Sequence, residues 1–191
     1  MNDSTAPRIA PRTDDELDDY AAELVGVGTG ADAPPAHNLI RTLAWNPGLL
    51  RRWIPWGGRL LNGGKLPPRA REVAILRIAT RTGSNYEWSQ HVSIGVGAGL
   101  TRDQVDQIAG DDATTLEPID RTIIAAIDEL VDDAVISEQT WSELAEMFQP
   151  AQLVELPMLV GAYMGIAYLT NSLRIAVEPG LESLPRRPDR S

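Results

Sequence analysis

Along almost the whole chain, apolar residues recur every three or four positions and strict apolar–polar alternation is nearly absent, so the pattern predicts an all-α fold. A first helix is expected over 13–24 (TDDELDDYAAEL), with Thr13 as its cap and acids in the opening turn, where the helix dipole favours them. A Gly/Pro-rich loop (GVGTGADAPP) follows. A short helix over 36–45 breaks at Asn46-Pro47-Gly48, and another runs to about Leu61, bent or interrupted near Pro55 and Gly57-Gly58. Asn62-Gly63-Gly64 reads as a turn.

Pro67-Pro68 opens the helix PRAREVAILRIATR, with proline in the tolerated first turn, and Gly83 ends it. The next helix, 84–98, stops at Gly99. Thr101 and Gln104 make a capping-box pattern for TRDQVDQIA. After an acidic loop at 110–117, helices are expected at 118–132, at 138–148 with Ser137 as cap, and at 150–177, the last kinked or broken near Pro157. The total is seven to nine helices. No repeat interrupts them, so 13–180 is expected to be one helical domain, flanked by polar, proline-bearing mobile tails at 1–12 and 181–191.

Composition narrows the function. A chain of 191 residues can bury a real core, and 43% hydrophobic with 23% charged residues fits a soluble globular protein. A net charge of −10 argues against nucleic-acid partners and against docking on anionic lipid. The longest apolar run, Leu156 to Leu169, falls short of the ~20 residues a membrane span needs and contains a proline, so it is read as a buried helix. The N-terminus shows no apolar secretory segment, and there is no cysteine. Disulfides and thiolate metal sites are therefore excluded, and a cytoplasmic location is the simplest expectation.

The candidate chemistry lies on two consecutive helices. Glu87 and His91, four residues apart, share a helix face that Ile94, Gly95 and Ala98 continue. Gly95 leaves room there for a close backbone or a small ligand. Glu72 lies on the preceding helix on the same face as Ile75, Leu76 and Ala79, where a carboxylate is costly without a partner. The turn at Gly83 can fold the two helices together, giving a Glu/Glu/His cluster whose proton affinities are drawn toward neutrality. The competing reading has Glu72 paired with Arg69 or Arg71 and Glu87–His91 as an ordinary helical pair. Arg77 and Arg81 are open to two roles: holding a substrate carboxylate, or pairing with acids at a subunit contact. Ser84 can cap its helix. Trp45, Trp53 and Trp56 either line an apolar pocket or fill core, and Trp88 points toward packing. His37 reads as a surface or capping residue. With no third histidine and no HExxH, no metal is expected.

The segment EVAILRIATRTGSNYEWSQHVSIGVGAG, from Glu72 to Gly99, resembles the core motif of the alkylhydroperoxidase D and carboxymuconolactone decarboxylase family. That motif spaces a glutamate, a C-x-x-C pair, a histidine and a glycine. Glu72, His91 and Gly99 fall on three of those positions, while Ser84 and Glu87 stand where the cysteines would be. A dithiol peroxidase needs thiolate attack and disulfide formation, which a hydroxyl and a carboxylate cannot supply. The resemblance therefore implies an alkylhydroperoxidase D-like helical fold and a cofactor-independent lyase related to the decarboxylase, working by acid–base chemistry on a small carboxylated lactone or enol-type substrate. In that reading His91 shuttles the proton, Glu87 orients it and Glu72 completes the relay. Arg77, Arg81, Ser84 and Trp56 are the candidates for holding substrate. The family's habit of forming trimers or hexamers implies a homo-oligomer, for which the apolar helix 150–177 is suited. The alternatives are a non-catalytic helical assembly or binding module and, last, a hydroperoxide reductase.

Overall fold

The computed structural model describes residues 6–27, 38–110 and 114–185. Among them are nine α-helices and no strand: α1 (Asp19–Leu24), α2 (Asn38–Leu43), α3 (Pro47–Asn62), α4 (Pro68–Thr82), α5 (Asn85–Gly97), α6 (Arg102–Ala109), α7 (Pro118–Asp133), α8 (Glu138–Met147) and α9 (Pro150–Leu173). The expected helices are all present, and the differences lie at their ends. Thr13 opens only a single 3-10 turn over Asp14–Glu16; Asp18 then caps α1, accepting from the Ala21 N–H at 2.9 Å. The helix proposed from Thr13 is thus cut in two by a second cap. His37, most of the loop before it, residues 111–113 and the outer parts of both expected tails lie outside the described residues.

Of the bend or break expected at each of two prolines, the break does not occur. α3 continues through Pro55, and α9 through Pro157. An interior proline costs a helix about 3 kcal/mol and each interior glycine about 1 kcal/mol, so α3, with Pro55, Gly57 and Gly58, is a weak helix held by its packing. α9 ends at Arg174, in the left-handed region at φ 54°, earlier than the sequence pattern suggested.

α4 is the centre of the fold and packs against α5, α6, α7 and α9. Ten of its residues are buried, which explains why its sequence is apolar on nearly every face. Gly83, at φ +64°, reverses the chain so that α5 returns along α4, and Ser84 caps α5. α9 crosses both helices. It is long and apolar enough to cross a membrane, but half of its apolar window is buried inside the protein. Part of the segment expected to be an N-terminal tail is tied down: the Arg8 N–H donates to the Leu173 carbonyl, and Trp45 Nε1 to the Ala10 carbonyl. Behind α9 the chain is latched by buried Glu178, which accepts from the Asn38 N–H at 2.7 Å and the Tyr86 hydroxyl at 2.9 Å.

Candidate active site

Where α4 and α5 lie side by side, Glu72, Glu87 and His91 come together, with exposures of 0%, 4% and 4%. Glu72 Oε2 lies 2.7 Å from His91 Nδ1, and Glu72 Oε1 accepts from Arg71 Nε at 2.9 Å. The two readings of Glu72 are therefore both realised, one on each oxygen. A carboxylate facing Nδ1 fixes the proton there and leaves Nε2 as the working nitrogen. Glu87 Oε2 stands 3.8 Å from that Nε2. It is thus Glu72 that orients the imidazole, while Glu87 faces the nitrogen that can exchange a proton. This reverses the roles suggested by the helical spacing, because the inter-helix contact is the closer of the two.

Burial without a compensating hydrogen bond pushes the Glu87 carboxyl up to about 7, with the nearby His91 opposing the rise. Such a group passes between acid and base near neutral pH, the range in which a proton donor is most useful. Above the cluster, Tyr163 of α9 sets its ring edge-on to His91, 5.3 Å between centroids and 82° between planes. Burial, then the charges of Glu87 and Glu72, raise the Tyr163 hydroxyl's proton affinity, so it remains a donor. No described residue hydrogen-bonds that hydroxyl. Sequence reasoning missed Tyr163: a tyrosine on the buried face of a late helix carries no local signal linking it to the motif.

Gly95 resolves its own question. A Cβ there would sit 3.1 Å from Leu100 Cδ1 and 3.2 Å from Leu76 Cδ1, so its space is used for close approach of α5 to α4, not for a ligand. Ser84 is fully buried and accepts from the Glu87 N–H at 3.4 Å while meeting Thr170 Oγ1 at 3.1 Å, which makes it a cap and a tie to α9. Trp88 is fully buried in packing.

The two arginines expected to meet substrate lie on another side of α4. Arg77 donates to Asp128 from Nε (2.7 Å) and Nη2 (2.6 Å), and from Nη1 to the carbonyls of Ile108 and Gly110. Arg81 pairs with Asp128 at 2.8 Å and Asp132 at 2.5 Å. Burial would raise the Asp128 carboxyl, but the two guanidiniums prevail and hold it below its usual range. The acids are those of α7 in the same chain, so these arginines tie α4 to α7 and are already occupied. Trp56 is partly exposed and lines a shallow groove of about 300 Å³ with Leu49, Trp53, Gly161 and Gly165, away from the cluster. Trp53, shared with that groove, lines a second cavity of about 260 Å³ together with Tyr163. Among the described residues no three His, Cys, Asp or Glu side chains are placed to hold a metal ion.

Comparison with known proteins agrees with the helical fold. Residues 47–128 match the carboxymuconolactone decarboxylase family. The fold is similar to that of an uncharacterised peroxidase-related protein from Ralstonia eutropha JMP134, described as an alkylhydroperoxidase AhpD core (TM-score 0.75, 16% identity, covering 91% of this chain and 93% of that one). It is similar to an uncharacterised peroxidase-related protein from Silicibacter sp. TM1040 (TM-score 0.73, 13% identity, 94% and 95%). It also resembles a cysteine-to-alanine variant of the debrominase Bmp8 in complex with 2,3,4-tribromopyrrole (TM-score 0.70, 14% identity, 93% and 95%). No curated protein matches the chain.

Proposed function

We propose, for a chain whose residues 47–128 place it in the carboxymuconolactone decarboxylase family, that it is a thiol-free acid–base enzyme. It is a cofactor-independent lyase, or a close relative of one, that moves protons to and from carbon in a small lactone or enol-type substrate. The observation that carries this reading is the buried array of Glu72, His91 and Glu87, with one carboxylate fixed on Nδ1 and the other poised near neutrality beside Nε2. A dead scaffold has no reason to keep two carboxyl groups and an imidazole buried together at such cost. That favours the enzyme over the non-catalytic module.

In an uncharged enol or lactone the C–H bond at the acidic carbon breaks, the proton passes to His91 Nε2 or to ionised Glu87, and the electron pair stays on the substrate as a dienolate. The proton that quenches it comes from Glu87 or from protonated His91 Nε2 and is restored from solvent. Glu72 stabilises the imidazolium formed on the way and keeps its ring in place. Because Arg77 and Arg81 are engaged by Asp128 and Asp132, uncharged enol or lactone substrates suit this site better than the carboxylated lactone first expected. We also propose a homo-oligomer, formed through the outward face of α9, where Val154, Met158 and Tyr168 stand exposed around Gly161 and Gly165.

The test is loss of 4-carboxymuconolactone, and deuterium exchange at the acidic carbon of an uncharged unsaturated five-membered lactone, followed by NMR for wild type beside His91→Ala. Turnover or exchange that vanishes in the variant supports the reading. Neither reaction from the folded wild-type protein contradicts it.

A further inference from the structure

The cavity of about 260 Å³ between α2, α3 and α9 is lined by Ile40, Trp53, Ile54, Leu61, Ile166 and Tyr163, among others, with no charged side chain on its walls. An engineered apolar cavity of about 150 Å³ holds benzene, so this one has room for a single ring with substituents. Its polar side chains are Asn62 and Tyr163. Tyr163 is 6% exposed, has no hydrogen-bond partner for its hydroxyl among the described residues, and packs its ring against His91. Gly57 and Gly58 also line the cavity, and a Cβ at Gly58 would touch nothing within 4 Å. A Cβ at Gly57 would meet the Trp53 ring at 3.6 Å, so the open stretch of wall lies at Gly58.

We propose that this cavity is the binding site for the body of the substrate, and that it takes a compact, uncharged, ring-sized apolar group whose single acceptor is met by the Tyr163 hydroxyl. The reading rests on the acid–base function above and extends it to a substrate class. The apolar walls hold the ring by exclusion of water. Tyr163, the one side chain of the cavity whose ring also packs on His91, fixes through its hydroxyl which end of the ligand lies nearest the imidazole. A carboxylate seated there would lose its water with no cation to meet it, so the cavity selects against charge. Trp53 forms one wall and supplies a resonance that reports occupancy.

The probe is cyclohexanone, a neutral ring with one carbonyl, titrated into the full chain while the Trp53 indole N–H resonance is followed, with cyclohexanecarboxylate as its charged counterpart. Saturable binding of the ketone is expected in wild type. Binding at least tenfold weaker is expected for the carboxylate and for Gly58→Leu, which adds a bulky side chain at a residue lining the cavity. Tyr163→Phe, which keeps the ring on His91 and removes the donor, weakens the ketone about fivefold, as loss of one hydrogen bond does. No saturable shift in wild type, equal binding of the carboxylate, or undiminished binding to Gly58→Leu overturns the proposal. Failure of the acid–base reading is separate: the ketone then binds as described, yet no His91-dependent proton exchange occurs.

Discussion

Burying a carboxyl group beside an imidazole, with no hydrogen bond to offset the lost water, makes its ionisation unfavourable in the folded chain, and Glu87 rises to about 7 for that reason. This has a consequence for stability. Unfolded, the group ionises near its ordinary 4.5; folded, near 7. Between those values the folded chain holds the extra proton, so stability declines as pH rises through this window and is flat above it. The shift corresponds to about 3 kcal/mol in all. Glu87→Gln removes the decline: urea unfolding at pH 5 and pH 8 is expected to show wild type losing most of this, about 2 kcal/mol, more than the variant over that interval. Glu72 acts differently, through its contact with Nδ1 at 2.7 Å. In Glu72→Gln the amide can present its N–H to Nδ1 and favour the wrong tautomer. His91-dependent carbon–proton exchange should then drop about 10²-fold or more with the fold intact, measured by exchange kinetics beside circular dichroism.

At the scale of elements, the Glu72–His91–Glu87 cluster depends on how closely α5 lies on α4. Gly95, one turn beyond His91, sets that spacing, with Leu76, Leu100 and Glu72 Cβ around it. Gly95→Val overfills this contact and is expected to cost about 1–3 kcal/mol in thermal or urea unfolding. It should also reduce proton exchange more than a surface change of equal cost, because it parts Glu72 from His91. The sequence made much of this legible. Caps at Ser84, Thr101 and Ser137 and the turn at Gly83 are local chemistry, and they appear where their residues stand. Pro55 and Pro157 stand inside unbroken helices because propensity is a local preference, and packing against the rest of the fold overrides it. Glu72, Glu87 and His91 were singled out by their spacing on two helices joined by one turn together with the resemblance of 72–99 to the family motif. Tyr163 and the α7 acids that occupy Arg77 and Arg81 come from helices far along the chain, and only tertiary structure brings them in.

For the whole molecule, α4 is buried on nearly all sides while α9 is buried on one side and apolar on both. Val154 at 69%, Met158 at 51% and Tyr168 at 61% exposure form a stripe that water solvates poorly. A second copy of the chain is the proposed cover, since symmetric assembly lets one surface serve twice. Met158→Glu places a charge in the middle of the stripe. Sedimentation equilibrium is expected to show its dissociation constant raised at least about tenfold over wild type, as desolvating a charge at an interface core requires. An unchanged monomer in both proteins removes that part of the account.

The central claim, a proton-transfer unit in which Glu87 faces His91 Nε2, is tested most directly by titrating the Glu87 side-chain carbon by NMR in wild type and in His91→Ala. The account predicts a midpoint near 7 in wild type, moving higher when the imidazole that favours ionisation is removed. A midpoint near the ordinary 4.5, unmoved in His91→Ala, would contradict it.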